Sequence, residues 1–126
     1  MEAIRNVINS AWEERERLTE TVVTDAIKAT IRLLDSGDIR VAEQMEDGSW
    51  QVNEWVKKAI TLYFPINTNR TMEAGTFEYF DKIDLKRDWQ ERGVRVVPPA
   101  TVRYGAFVEQ GAILMPSYVN IGAYVG

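Results

Sequence analysis

Apolar residues recur at helical spacing over the first part of the chain. Ile4, Val7, Ile8, Ala11, Trp12 and Leu18 share one helical face, and the charged run at residues 13–17 falls mostly outside it, as a solvated face would. A second stripe of Val23, Ala26, Ile27, Thr30, Ile31 and Leu34 predicts a helix that starts at Thr21 or Val22 and ends near Leu34. Asp35-Ser36-Gly37 closes it, because glycine can take the left-handed conformation a helix C-terminus often needs. Residues 39–43 then alternate as a strand, with Trp50-Gln51-Val52 as partner and Asp47-Gly48 as the hairpin turn. Asn53 is placed to cap a third helix, carrying Trp55, Val56, Ala59, Ile60 and Tyr63 and stopped at Phe64-Pro65. Residues 67–75 are polar and turn-rich and read as a loop. Residues 88–92 form a helical turn closed by Gly93, and 94–97 a short strand ended by Pro98-Pro99.

From Val96 onward the period becomes six. The units open on Val96, Val102, Val108, Leu114 and Asn120, so the first position is aliphatic in four of five. Ala100, Ala106 and Ala112 hold the fifth position, followed by Tyr118 and Tyr124; Gly105 and Gly111 hold the fourth, followed by Ser117 and Ala123. Neither a strand nor a helix has this period. A left-handed parallel β-helix does: its aliphatic first positions point into a triangular prism, and its turn residues bend the chain at the corners. The alternative is a hairpin or meander with coincidental spacing. Five hexapeptides make fewer than two coils, which leaves Val102, Val108 and Leu114 as inward-type residues on an uncompleted coil with an open edge.

The fold class expected is therefore α+β: a helical N-terminal domain with a β-hairpin over residues 1–94, then the truncated first coils of the β-helix over 95–126. Composition narrows the chemistry. The 126 residues are 45% hydrophobic and 27% charged, which is globular composition. A net charge of −4 with dispersed basic residues argues against a nucleic-acid partner. With no cysteine and no histidine, thiol chemistry and any histidine base are excluded within these residues. No stretch approaches membrane-spanning length and the N-terminus is not a signal sequence, so a cytoplasmic protein without a membrane partner is expected. Trp12, Trp50, Trp55 and Trp89 read as packing anchors, and Lys57-Lys58 as a solvated pair.

Several segments resemble the tetrahydrodipicolinate N-succinyltransferases of bacterial lysine and diaminopimelate biosynthesis. They are Leu33-Leu34-Asp35-Ser36-Gly37, Arg40-Val41-Ala42-Glu43, Trp55-Val56-Lys57-Lys58-Ala59, Tyr79-Phe80-Asp81-Lys82 and Arg95-Val96-Val97-Pro98-Pro99-Ala100. The longest is the run from Leu114 through Val125. The resemblance implies a homotrimer that transfers succinyl from succinyl-CoA, a co-substrate rather than a bound cofactor, to a dicarboxylate held between subunits. It implies no metal. It makes Arg95 the substrate-binding position and places the family's acidic catalytic residues beyond Gly126, which itself stands where the family usually continues with an acidic residue. Two other functions fit the repeat: a related hexapeptide-repeat N-acetyltransferase, and a non-catalytic oligomerisation module.

Overall fold

The computed structural model describes residues 1–126. Three amphipathic helices form one layer: α1 (Glu2–Glu13), α2 (Thr21–Ser36) and α3 (Glu54–Tyr63). Ile8, Ala11, Val23, Ala26, Ile27, Ala59 and Leu62 interlock as their shared core, with Trp12 and Leu18 packed around it. The first stripe is not one continuous helix. The chain leaves helical geometry at Glu14 (φ −123°, ψ 81°), and Leu18 reaches the core from a separate 3-10 turn, Arg15–Thr19. A charged run buries nothing, so packing gives it no reason to stay helical.

The second stripe is buried at all six expected positions, and Asp35 is buried with them. Gly37 ends α2 at φ 81°, its N–H donating to the Leu34 carbonyl at 3.1 Å. A Cβ there would come within 2.9 Å of the Phe107 ring, so the end of α2 sits directly on the repeat region. Asn53 precedes α3 as expected but does not cap it with its side chain. Its Nδ2 donates instead to the Arg40 carbonyl at 2.8 Å and ties the preceding hairpin to the helix.

That hairpin is β1 (Ala42–Gln44) against β2 (Trp50–Val52), in register Ala42↔Val52. It stands clear of the core, so Trp50 is 65% exposed and is not a packing anchor. Residues 67–75 are not simply a loop. β3 (Arg70–Ala74) pairs antiparallel with β4 (Phe77–Asp81) across a two-residue turn at Gly75-Thr76. Gly75 has φ 65° and Thr76 does not share the positive φ, the arrangement of a type II′ turn. This second hairpin is exposed on both faces, so it lacks the one-sided hydrophobic alternation that marks a strand in sequence.

After the short helix α4 (Trp89–Arg92), the chain makes six two-residue strands. They are β5 (Arg95–Val96), β6 (Thr101–Val102), β7 (Phe107–Val108), β8 (Ile113–Leu114), β9 (Tyr118–Val119) and β10 (Tyr124–Val125). They form three parallel ladders, β5 with β8, β6 with β9 and β7 with β10. The register is Val96↔Leu114, then Val102↔Val119 and Val108↔Val125. The repeat therefore loses a residue between Leu114 and Val119, at the Pro116 bend, and Val119 rather than Asn120 opens the next unit. This removes the irregular unit of the sequence pattern. Val119 through Tyr124 now aligns with Val102 through Phe107, placing Gly122 over Gly105 and Ala123 over Ala106. Gly105, Gly111 and Gly122 all turn at φ near 90° (94°, 92° and 89°), where a side chain is strained.

Val102, Val108 and Leu114 are not left exposed on an open edge; they are 3%, 3% and 8% exposed. They pack with Val94, Ala106 and Val119, and Trp89 lies against the same cluster. One turn of chain already encloses an apolar centre. Ile121 and Tyr104 then join Ile31, Leu34 and Val56 in a third cluster that welds the repeat to α2 and α3.

Candidate functional site

Two arginines on the repeat region have opposite surroundings. Arg103 lies one residue past β6, four-fifths covered. Its guanidinium donates to Asp81 Oδ2 at 3.0 Å and to Asn120 Oδ1 at 3.3 Å. The Phe64 ring lies 5.5 Å from its charge centre. Asn120 Oδ1 also accepts from the Tyr118 hydroxyl at 3.1 Å and from the Ile121 N–H at 2.9 Å. Burial raises the Asp81 carboxyl, but N–H groups of Lys82 and Ile83 and the Arg103 charge outweigh it, so the carboxyl lies below its ordinary value.

Deeper still, the buried Lys86 ammonium donates to both the Asp35 carbonyl and Asp35 Oδ1, each at 2.7 Å. The Gly105 N–H donates to the same carboxylate oxygen at 2.9 Å, and Arg92 stands 3.6 Å from Oδ2. Asp35 is thus the node joining α2, α4 and the repeat. Burial lowers the Lys86 ammonium from its usual range, partly opposed by Asp35. Sequence reasoning used Asp35 only as a helix stop. The signal for its burial was present: Asp35 stands four residues after Ile31, inside the apolar stripe.

Arg95 is the residue singled out in sequence, and it is exposed on β5. Among all hydrogen bonds and ion pairs of the chain, its side chain makes none. Val96 beside it turns into the coil, so by strand alternation Arg95 points out. Its ladder partner is Ile113 at 58% exposure, with Met115 at 63% two residues on. Chemically this is a free, planar, five-donor cation on an apolar strip. Such a fork suits a carboxylate, and no carboxylate of the chain uses it.

The other polar groups are less available. Lys57 pairs with Glu54 at 3.5 Å, and Lys58 donates to Asn9 at 3.3 Å. Two grooves, of about 360 and about 480 Å³, run between the β3–β4 hairpin and the coil; Tyr79, Leu85 and Thr101 line both, and Arg95 lines neither. No group of three or more acidic side chains gathers as a metal site would require, and no helix is long and apolar enough to cross a membrane.

Comparison with known proteins bears on this geometry. Residues 3–66 match the family described as Tetrahydrodipicolinate N-succinyltransferase N-terminal. Over 133 aligned residues the chain is 47% identical to 2,3,4,5-tetrahydropyridine-2,6-dicarboxylate N-succinyltransferase of Salmonella heidelberg, covering 98% of this chain and 48% of that protein. The protein of the same name from Serratia proteamaculans is 47% identical over 132 residues, covering 97% and 48%. A third, from an unknown prokaryotic organism, is 48% identical over 133 residues. The chain spans about half the length of the curated relatives it matches.

Proposed function

From the premise that the chain belongs to the tetrahydrodipicolinate N-succinyltransferase N-terminal family, we propose that it is the acceptor-binding and assembling part of an N-succinyltransferase. In that reading residues 1–94 form the helical domain with its hairpins. Residues 95–126 are the opening coil of a left-handed β-helix, supported by the three parallel ladders and the recurring left-handed glycines. The whole protein acts as a cytoplasmic homotrimer on tetrahydrodipicolinate and succinyl-CoA, with no bound cofactor, in lysine and diaminopimelate biosynthesis. Water opens the cyclic imine of tetrahydrodipicolinate to a ketone and a free amine; that amine nitrogen bonds to the succinyl carbonyl carbon, the thioester C–S bond breaks, and CoA leaves as the thiol with the amine's proton.

The observation that carries the reading is Arg95. A guanidinium held out on a rigid ladder, without an internal partner, is preorganised for an anionic ligand. Its role is to bind and orient one substrate carboxylate. Proton transfer falls to other groups, since the chain has no histidine and a guanidinium offers only donors.

Steady-state kinetics on a full-length trimer carrying this segment test the assignment. Arg95→Ala should lower kcat/KM for tetrahydrodipicolinate by roughly ten- to several-hundred-fold, the effect of losing a charge-assisted pair. KM for succinyl-CoA should stay nearly constant. Arg95→Lys should recover only part, because the ammonium keeps charge without the planar fork. An unchanged amine substrate, or equal weakening of both substrates through loss of the trimer on sedimentation, would make Arg95 structural.

A further inference from the structure

We propose that Ile113 and Met115 form an apolar rail that holds the hydrocarbon spine of the acceptor whose carboxylate Arg95 takes, so that this outer face of the coil selects the length of the dicarboxylate. The inference rests on the reading of Arg95 just given and extends it to specificity.

The geometry comes from the parallel ladder. Arg95 pairs with Ile113 and Val96 with Leu114. The Arg95 N–H donates to the Ala112 carbonyl at 3.1 Å and the Val97 N–H to the Leu114 carbonyl at 2.9 Å, which locks the register on both sides. Paired strands lie about 4.8 Å apart, so Arg95 and Ile113 share one outward face at van der Waals range. Val96 and Leu114 turn inward to the coil core, and Ile113 and Met115 flank Leu114 on the outside. The Met115 carbonyl accepts from the Ser117 hydroxyl at 2.7 Å, which steadies the corner.

Two large apolar side chains exposed beside each other cost hydration without any internal return. Beside an unpaired guanidinium they fit a particular ligand chemistry: a carboxylate attached to several methylenes. Arg95 alone would bind acetate, malonate and longer acids much alike. The rail adds a term that grows with chain length, because each methylene covered contributes its own hydrophobic increment. A second copy of the chain seated on the same strip is the competing occupant, and the experiment separates the two.

The test is a titration of a full-length trimer carrying this segment with pimelate, the straight seven-carbon dicarboxylate, and with malonate, followed by amide chemical shifts. Pimelate should bind about tenfold more tightly than malonate, the worth of about two buried methylenes, and should shift the amides of Arg95, Ile113 and Met115 together. Ile113→Ser and Met115→Gln, both at exposed positions that should not disturb folding, should each weaken pimelate by about threefold and leave malonate unchanged. Arg95→Ala should abolish the response to both acids. If the two apolar variants bind pimelate like the parent while Arg95→Ala does not, the rail is wrong and Arg95 stands. If Arg95→Ala binds pimelate normally, the Arg95 reading itself falls. Pimelate that produces no shift, or Ile113 and Met115 amides that move with protein concentration instead, would overturn the rail in favour of a bare surface or a second copy.

Discussion

The Arg103 and Arg95 regions of the repeat are built from the same two-residue strands, yet they do opposite things with their arginines. On the Arg103 side the charged groups find partners inside the molecule. Asp81 and Asn120 hold the guanidinium, Asp35 holds Lys86, and the Gly105 N–H closes on the Asp35 carboxylate. On the Arg95 side a cation stands beside Ile113 and Met115 with no hydrogen bond or ion pair inside the chain. An arginine that stitches a fold together spends its donors inside the molecule. An arginine available to a ligand keeps them free on its support. Residue type alone does not separate the two; neighbours do.

The largest stability effect should come from the node behind Arg103. Lys86→Met removes a cation 1% exposed from a carboxylate 11% exposed. The loss should be about 3–5 kcal/mol, because the Asp35 charge is left buried with only Arg92 and one N–H for company. Urea unfolding would show it, and Asp35→Leu combined with Lys86→Met should recover much of the loss, since the pair is then replaced by apolar packing. If the single variant is as stable as the parent, the node carries no weight in the fold.

A smaller effect is expected at Arg103, whose partner Asp81 is itself 37% exposed. Arg103→Ala should destabilise by about 1–2 kcal/mol, much of it from lost packing on Phe64. Arg95→Ala should change stability by less than about 0.5 kcal/mol, as expected of an exposed side chain with no internal hydrogen bond or ion pair. Equal thermal shifts for the two variants would erase the distinction between the two sides.

The smallest effect is a pH dependence. The Asp81 carboxyl is held below its unfolded value, so its contribution is fully present above about pH 4 and is lost as pH falls through the folded value. Melting temperatures of the parent and Asp81→Asn should therefore differ at neutral pH and converge in acid. A gap that stays constant down to pH 2 would mean that the Asp81–Arg103 pair is not what Asp81 contributes.

Local pattern by itself determined α2, α3, the turn of the first hairpin and the change to a six-residue repeat, although the hairpin's first strand lies at Ala42–Gln44 and not at 39–43. An apolar stripe, a left-handed glycine or an Asp-Gly turn acts within a few residues. Arg95 was legible only through its resemblance to a known motif. Tertiary structure decided the rest. The β3–β4 hairpin carries no inside and outside for a pattern to register, since both its faces meet solvent. The true repeat register after Leu114 depends on a pairing across 17 residues, which brings Val102 to Val119 and corrects for the shortened corner. Asp35 and Lys86 are 51 positions apart and acquire meaning only when α2 docks on the coil. That Arg103 is occupied while Arg95 is free follows from which carboxylates the fold carries to each, and a guanidinium's partners are set by distance in space, not by its place in the chain.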